Sequence, residues 1–147
     1  MKSHRKINAL YAHYQARNLQ ARQNLYMTIR NRDGLIIKRE ELKVQQDVIK
    51  KLIKEYCYKA CNNRATLFEE MRKVAVFRRK LLSVELECLQ VQSEIDELTL
   101  KKKEISHLLL ILENKSKKFI QLLAQSKLVQ LRKNLSEEES ELEEYLS

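Results

Sequence analysis

The chain has 147 residues, of which 33% are charged and 44% hydrophobic, with no proline, one glycine and a formal net charge of +9. That is too little apolar material for a thick globular core, and the longest apolar run, Leu108-Leu109-Leu110-Ile111-Leu112, falls far short of the ~20 residues that span a bilayer. Leu, Lys, Glu, Gln and Arg dominate instead, straight-chain residues that lose little rotamer freedom in a helix, so an elongated helical protein is expected.

The amino terminus, Met1-Lys2-Ser3-His4-Arg5-Lys6, has the charge of a signal n-region, but Asn8, His13 and Gln15 break the stretch that follows. No secretory signal is therefore expected, and the protein is expected in the cytosol. A first helix is predicted over about residues 3–60. Ile7, Tyr14, Ala21, Thr28, Leu35, Leu42, Ile49 and Tyr56 recur at intervals of seven. Read as position a of a heptad, this row has a poor d row: Leu10 and Leu52 are apolar, whereas Arg17, Asn24, Asn31, Lys38 and Gln45 are not. Leu25, Ile36 and Ile53 lie beside the seam, so this helix is expected to pack less tightly than its partner or to drift in register. Asp33-Gly34 is its weak point, where glycine costs about 1 kcal/mol against alanine and a local kink is expected.

Cys61-Asn62-Asn63-Arg64-Ala65-Thr66 is the one place where the seam is lost and turn-formers cluster. Asparagine tolerates the left-handed backbone that ends a helix. Thr66-Leu67-Phe68-Glu69 then fits a capping box, with the threonine oxygen on an early backbone N–H and Glu69 reaching back. So short a turn favours antiparallel neighbours.

The second helix is predicted over about residues 67–142. With Leu67 at a, the a row reads Leu67, Val74, Leu81, Cys88, Ile95, Lys102, Leu109, and the d row Glu70, Phe77, Val84, Val91, Leu98, Ile105, Leu112, Phe119. Only Lys102 and Glu70 are not apolar. A 3.5-residue spacing keeps such a stripe facing a partner helix along a left-handed supercoil. The expected fold is thus all-α, a long two-helix antiparallel coiled-coil hairpin with unequal arms, forming a single domain over residues 1–147. At about 1.5 Å per residue the arms measure roughly 80 Å and at least 110 Å. Folding about residue 63 or 64 sets residue 3 opposite residue 124, leaving an overhang at 125–147. There the seam changes phase, from Phe119 and Leu123 to Leu128, Leu131, Leu135 and Leu142, so the overhang is expected to face something other than helix one. The rival assembly is a parallel homodimer of one bent helix.

Charge is sorted along the sequence. Residues 1–65 carry net +10, residues 66–135 net +5, and Ser136–Ser147 net −6 from six glutamates. One reading makes these solvated helix faces; the other makes them a field that guides docking onto complementary partners. Lys102 is expected to snorkel out of the seam. Bases dispersed over both helices, with no basic reading face before the zipper and an acidic tail after it, argue against nucleic acid. The apolar stripe is too narrow for a membrane-surface helix.

Cys57, Cys61 and Cys88 contain no CxxC, and His4, His13 and His107 lie far from the first two. Structural thiols are expected, with no metal and no cofactor. A two-helix protein has no cleft to desolvate a pair of carboxylates, and no histidine stands near a cysteine, so no catalytic residues and no enzymatic activity are expected.

Met71-Arg72-Lys73-Val74-Ala75-Val76-Phe77-Arg78-Arg79-Lys80-Leu81 resembles the RK-x4-RR segment of the virulence branch of type III secretion stalk proteins. Leu89-Gln90-Val91-Gln92 and the glutamate-rich Ser136-Glu137-Glu138-Glu139-Ser140-Glu141 continue the likeness, which covers most of residues 65–147. These are the FliJ/YscO family, in its InvI/SpaM-like branch. The resemblance implies a non-enzymatic, cytoplasmic coiled coil peripheral to the inner-membrane export apparatus, acting in virulence-type protein transport. Its paired termini would enter a hexameric export ATPase, its other end would reach an export gate membrane protein, and export chaperones are a further partner class. On this chain the ATPase-binding set would be Lys2, Arg5, Lys6, Tyr11, Leu128, Leu131, Arg132 and Leu135. The turn-proximal set facing the gate would be Ile53, Tyr56, Tyr58, Phe68, Arg72, Val76 and Arg79, where aromatic and arginine side chains suit interface anchors. Equally, a hairpin end uses such residues to cover its own seam. The alternative function is a generic coiled-coil adaptor or chaperone-binding protein with no ATPase role.

Overall fold

The computed structural model describes residues 2–147, with side chains from Arg5 onward. It is all-α: helix α1 spans Lys2–Asn62, a 3-10 turn spans Arg64–Thr66, and helix α2 spans Leu67–Leu146. The two form an antiparallel helical hairpin. Its contacts group into two units, Tyr26–Lys103 around the turn, and the stretch up to Leu25 with Glu104–Ser147.

In the turn unit the core is Leu42, Ile49, Val84, Val91 and Ile95, with Leu35, Ile36, Ile53, Phe77, Leu81 and Cys88 packed half-buried against it. Antiparallel register is fixed by cross-helix contacts. Tyr56 stacks on Phe77 with ring centroids 5.4 Å apart, Arg39 Nη1 donates to Gln92 Oε1 at 2.9 Å, and Lys38 lies 3.6 Å from Glu87. In the terminal unit Ala21, Leu109 and Leu112 are buried, flanked by Tyr14, Leu25 and Ile105. There Tyr14 stacks on Phe119 at 5.2 Å. Gln92, Phe77 and Phe119 sit about one to one and a half helical turns further along α2 than folding at residue 63 or 64 would set them, because the connection runs on to Thr66 before α2 begins.

Every a and d position of α2 from Leu67 to Phe119 is buried or half-buried, Glu70 and Lys102 included, and the burial continues through Ser116, Leu123 and Ser126. Beyond Ser126 every residue is exposed. Helix α1 departs from its expected frame. The row Ile7 to Tyr56 does face the partner, but its companions lie four residues after it rather than three. They are Tyr11, Asn18, Leu25, Arg32, Arg39, Gln46, Ile53 and Ala60, while Leu10, Arg17, Asn24, Asn31, Lys38 and Gln45 are exposed. Leu25 and Ile53 are therefore members of the seam, not its neighbours. Rows three and four apart both border a given helical row, and the polar members Asn18, Arg32, Arg39 and Gln46 erase the contrast that would choose between them. The Arg39 stem lines the seam while its head reaches Gln92, and Gln92 donates in turn to Asp96 at 3.0 Å; Arg32 Nε and Glu70 Oε2 stay buried without a hydrogen-bond partner.

Gly34 leaves α1 continuous and has no positive φ, and the two local expectations that are corrected belong to the turn. Asn63 is extended, at φ −138° and ψ 104°, not left-handed. Its N–H still closes on Lys59 O at 3.1 Å, and its Oδ1 accepts from Ala65 N at 3.2 Å. Asn63 thus caps the 3-10 turn, and Thr66 lies inside that turn instead of capping α2.

Candidate functional site

A seam that uses the facing rows of both helices leaves the outer rows to solvent, and apolar residues there mark candidate docking surfaces. In the turn unit Tyr58 is 73% and Phe68 79% exposed, and Val76, Arg72 and Arg79 are exposed as well. The other two members of that set serve the hairpin. Ile53 packs against the core, and Tyr56 stacks on Phe77 with Lys59 Nζ and Lys73 Nζ at 5.0 and 5.2 Å from its ring. The free surface here is Tyr58, Phe68, Val76 and the two arginines, with Met71 beside them.

A longer stripe on the same unit escaped the sequence reading. Phe68, Ala75, Leu82 and Leu89 recur every seven residues on the outer side of α2, with Leu86 between the last two, all exposed. The signal was present as a second heptad row one residue out of phase with the seam, and the stronger a row concealed it.

In the terminal unit Arg5 and Lys6 are exposed on the first turns of α1. The side chain of Lys2 lies outside the described residues. Tyr11 belongs to the half-buried row, and its hydroxyl accepts from Gln15 Nε2 at 2.6 Å. Leu128, Leu131, Arg132 and Leu135 are all exposed. Leu142 and Tyr145 extend the same stripe, Tyr145 being 90% exposed.

A shallow open hollow in this unit is lined by Asn18, Leu19, Arg22, Glu113, Ser116 and Lys117. Arg22 Nη2 and Glu113 Oε1 stand 3.5 Å apart across its mouth. Asn18 Oδ1 and Ser116 Oγ are buried there without a hydrogen-bond partner, so a polar pair interrupts the apolar seam at this level. Among the described residues no three His, Cys, Asp or Glu side chains come together to hold a metal ion. Cys57, Cys61 and Cys88 are free thiols. No described helix is long and apolar enough to cross a membrane. What the surfaces offer is apolar anchors flanked by charge, the chemistry of protein docking.

The family model described as Salmonella surface presentation of antigen gene type M protein matches residues 5–146. No curated protein and no solved structure matches the chain.

Proposed function

The chain belongs to the Salmonella surface presentation of antigen M protein family, a type III secretion stalk-like family, and we propose that it is the non-enzymatic central stalk of such a secretion system. In this reading the terminal unit inserts into a hexameric export ATPase on the cytoplasmic side of the inner membrane. The exposed surface beside the turn meets the export gate, and export chaperones dock along the helices.

The observation that carries the reading is the stretch of α2 after Ser126, helical to Leu146, exposed on every side and striped with Leu128, Leu131, Leu135 and Leu142. Most helical stability in proteins comes from packing of an apolar face against a partner rather than from propensity. In the same unit the basic first turns of α1, with Arg5 and Lys6, suit an acidic ring on the inner wall of a hexamer. Tyr58 and Phe68 supply the second anchor, since large exposed aromatics beside arginines are the residue types that dominate interface energetics.

Deleting residues 125–147 should abolish stimulation and co-purification of the export ATPase while leaving the helical content of the remaining hairpin unchanged. Replacing Tyr58 and Phe68 together by alanine should leave ATPase binding intact and stop secretion. A truncated chain that still stimulates the ATPase removes the insertion model. Normal secretion by the double variant at normal protein levels removes the gate contact.

A further inference from the structure

Three sulfur-bearing side chains line one hollow beside the turn. Cys57 and Cys61 come from α1 and Met71 from the second turn of α2, and they share the hollow with buried Ala60 and Val74 and with exposed Arg78. All of them belong to the turn unit. Cys61 is exposed and Cys57 half-buried, and both are free thiols. Met71 is 56% exposed, so its thioether is open to a ligand instead of filling the core.

Residues four apart on a helix are neighbours on one face, with about 5–6 Å between their Cβ atoms. That spacing lets two ligands on one helix hold a single ion. The remaining donors decide which ion. Zn²⁺ in a closed site takes four nitrogen, sulfur or oxygen ligands. Among the described residues no third His, Cys, Asp or Glu joins the two thiols, and the turn unit contains no histidine. Thiolate and thioether together are the donors that select Cu(I). The charges agree with that choice. Each thiol gives up its proton on binding, so two thiolates around one Cu(I) carry a net charge of −1, and Arg78 brings a positive charge to the same hollow.

We propose that Cys57, Cys61 and Met71 form a binding site for a soft monovalent metal ion, Cu(I), held by two thiolates and one thioether. Because the thiolates belong to α1 and the thioether to α2, the bound ion ties the two helices together beside the turn. Neither Tyr58 nor Phe68 lines the hollow, so the site stands apart from the surface assigned above to the export gate.

Anaerobic titration of the full, reduced chain with the bathocuproine disulfonate complex of Cu(I) tests the site without an ATPase or a gate present, so failure leaves the stalk reading standing. The chain should withdraw one equivalent of copper, and its melting temperature should rise as it does so. Cys57→Ser and Cys61→Ser should each lose that equivalent. Met71→Leu, which nearly conserves volume, should weaken retention and remove the melting shift, because α2 then supplies no ligand. Cys88→Ser should bind as the parent does, since Cys88 packs against the core of the turn unit. Circular dichroism checks that each variant is helical, and the exposed position of Cys61 keeps Cys61→Ser decisive if a change at half-buried Cys57 disturbs the turn. A parent chain that withdraws no copper overturns the proposal. So does full retention by Cys61→Ser, a Met71→Leu chain indistinguishable from the parent, or loss of the equivalent in Cys88→Ser. Zn²⁺ held as tightly as Cu(I) also overturns it, because that demands ligands beyond the three sulfurs.

Discussion

Leu112 and Leu131 are the same side chain on the same helix, and they should respond to truncation in opposite ways. Leu112 is 2% exposed and belongs with Ala21 and Leu109 to the core of the terminal unit, whereas Leu131 is 58% exposed. Fully burying a leucine is worth about 1.5–3 kcal/mol. Leucine-to-alanine changes in packed cores cost about 2–5 kcal/mol once the cavity is included. A two-helix seam is open at both sides and closes partly around a gap, so Leu112→Ala should cost about 2–3 kcal/mol, at the low end of that range. Leu131→Ala on the monomer should stay within about 0.5 kcal/mol, as surface changes do. Urea unfolding followed by circular dichroism at low protein concentration reads both. Because each level of the hairpin touches only its neighbours, hydrogen exchange should localise the loss, with protection falling over residues 105–119 and persisting over residues 84–95. Equal destabilisation by the two variants, or a Leu112→Ala protein as stable as its parent, would refute the seam assigned here.

Two further changes probe the backbone. Gly34→Ala should raise stability by about 1 kcal/mol, because the residue is helical without a positive φ and an added Cβ would meet nothing within 4 Å; a lower melting temperature would mean that the glycine serves a bend. Asn63→Ala removes the acceptor for Ala65 N and should cost about 1 kcal/mol, while Asn63→Gly should cost less. If both variants melt with the parent, the cap is not what holds the turn.

How much of this was legible in the sequence depends on the contrast between rows. Along α2 the a and d rows are apolar at all but two positions, Glu70 and Lys102, so phase, face and extent were readable from residue identities alone. Along α1 one row was equally clear, and its companion was not. Arg32, Arg39 and Gln46 look like surface residues by type, yet each is half-buried in the seam, because a long aliphatic stem can line an interface, and in Arg32 the Nε is buried with it. The turn could be located where the apolar period stops. Its conformation could not be read, since asparagine serves both as a left-handed helix terminator and as an extended cap, and only the continuation into Arg64–Thr66 decides between them. At the surface beside the turn, exposure separated Tyr58 from Tyr56 and Phe68 from Ile53, a distinction that residue type alone does not make.

The polar members of the α1 row carry one more consequence. A seam of uniform leucine would let one helix slide past the other by a heptad at little cost, because each shifted layer would look like the last. Here Asn18 and Ser116 line one hollow of the terminal unit, and in the turn unit Arg39 reaches Gln92. A slip by seven residues would break the Arg39–Gln92 bond, at about 1–3 kcal/mol for a group left buried and unsatisfied, and would set Asn18 level with Leu109 or Leu123 instead of Ser116. The cost of a less apolar α1 is thus offset by a single register. Register is what ends the run of half-buried α2 residues at Ser126, and so determines which residues of α2 stay exposed to another protein.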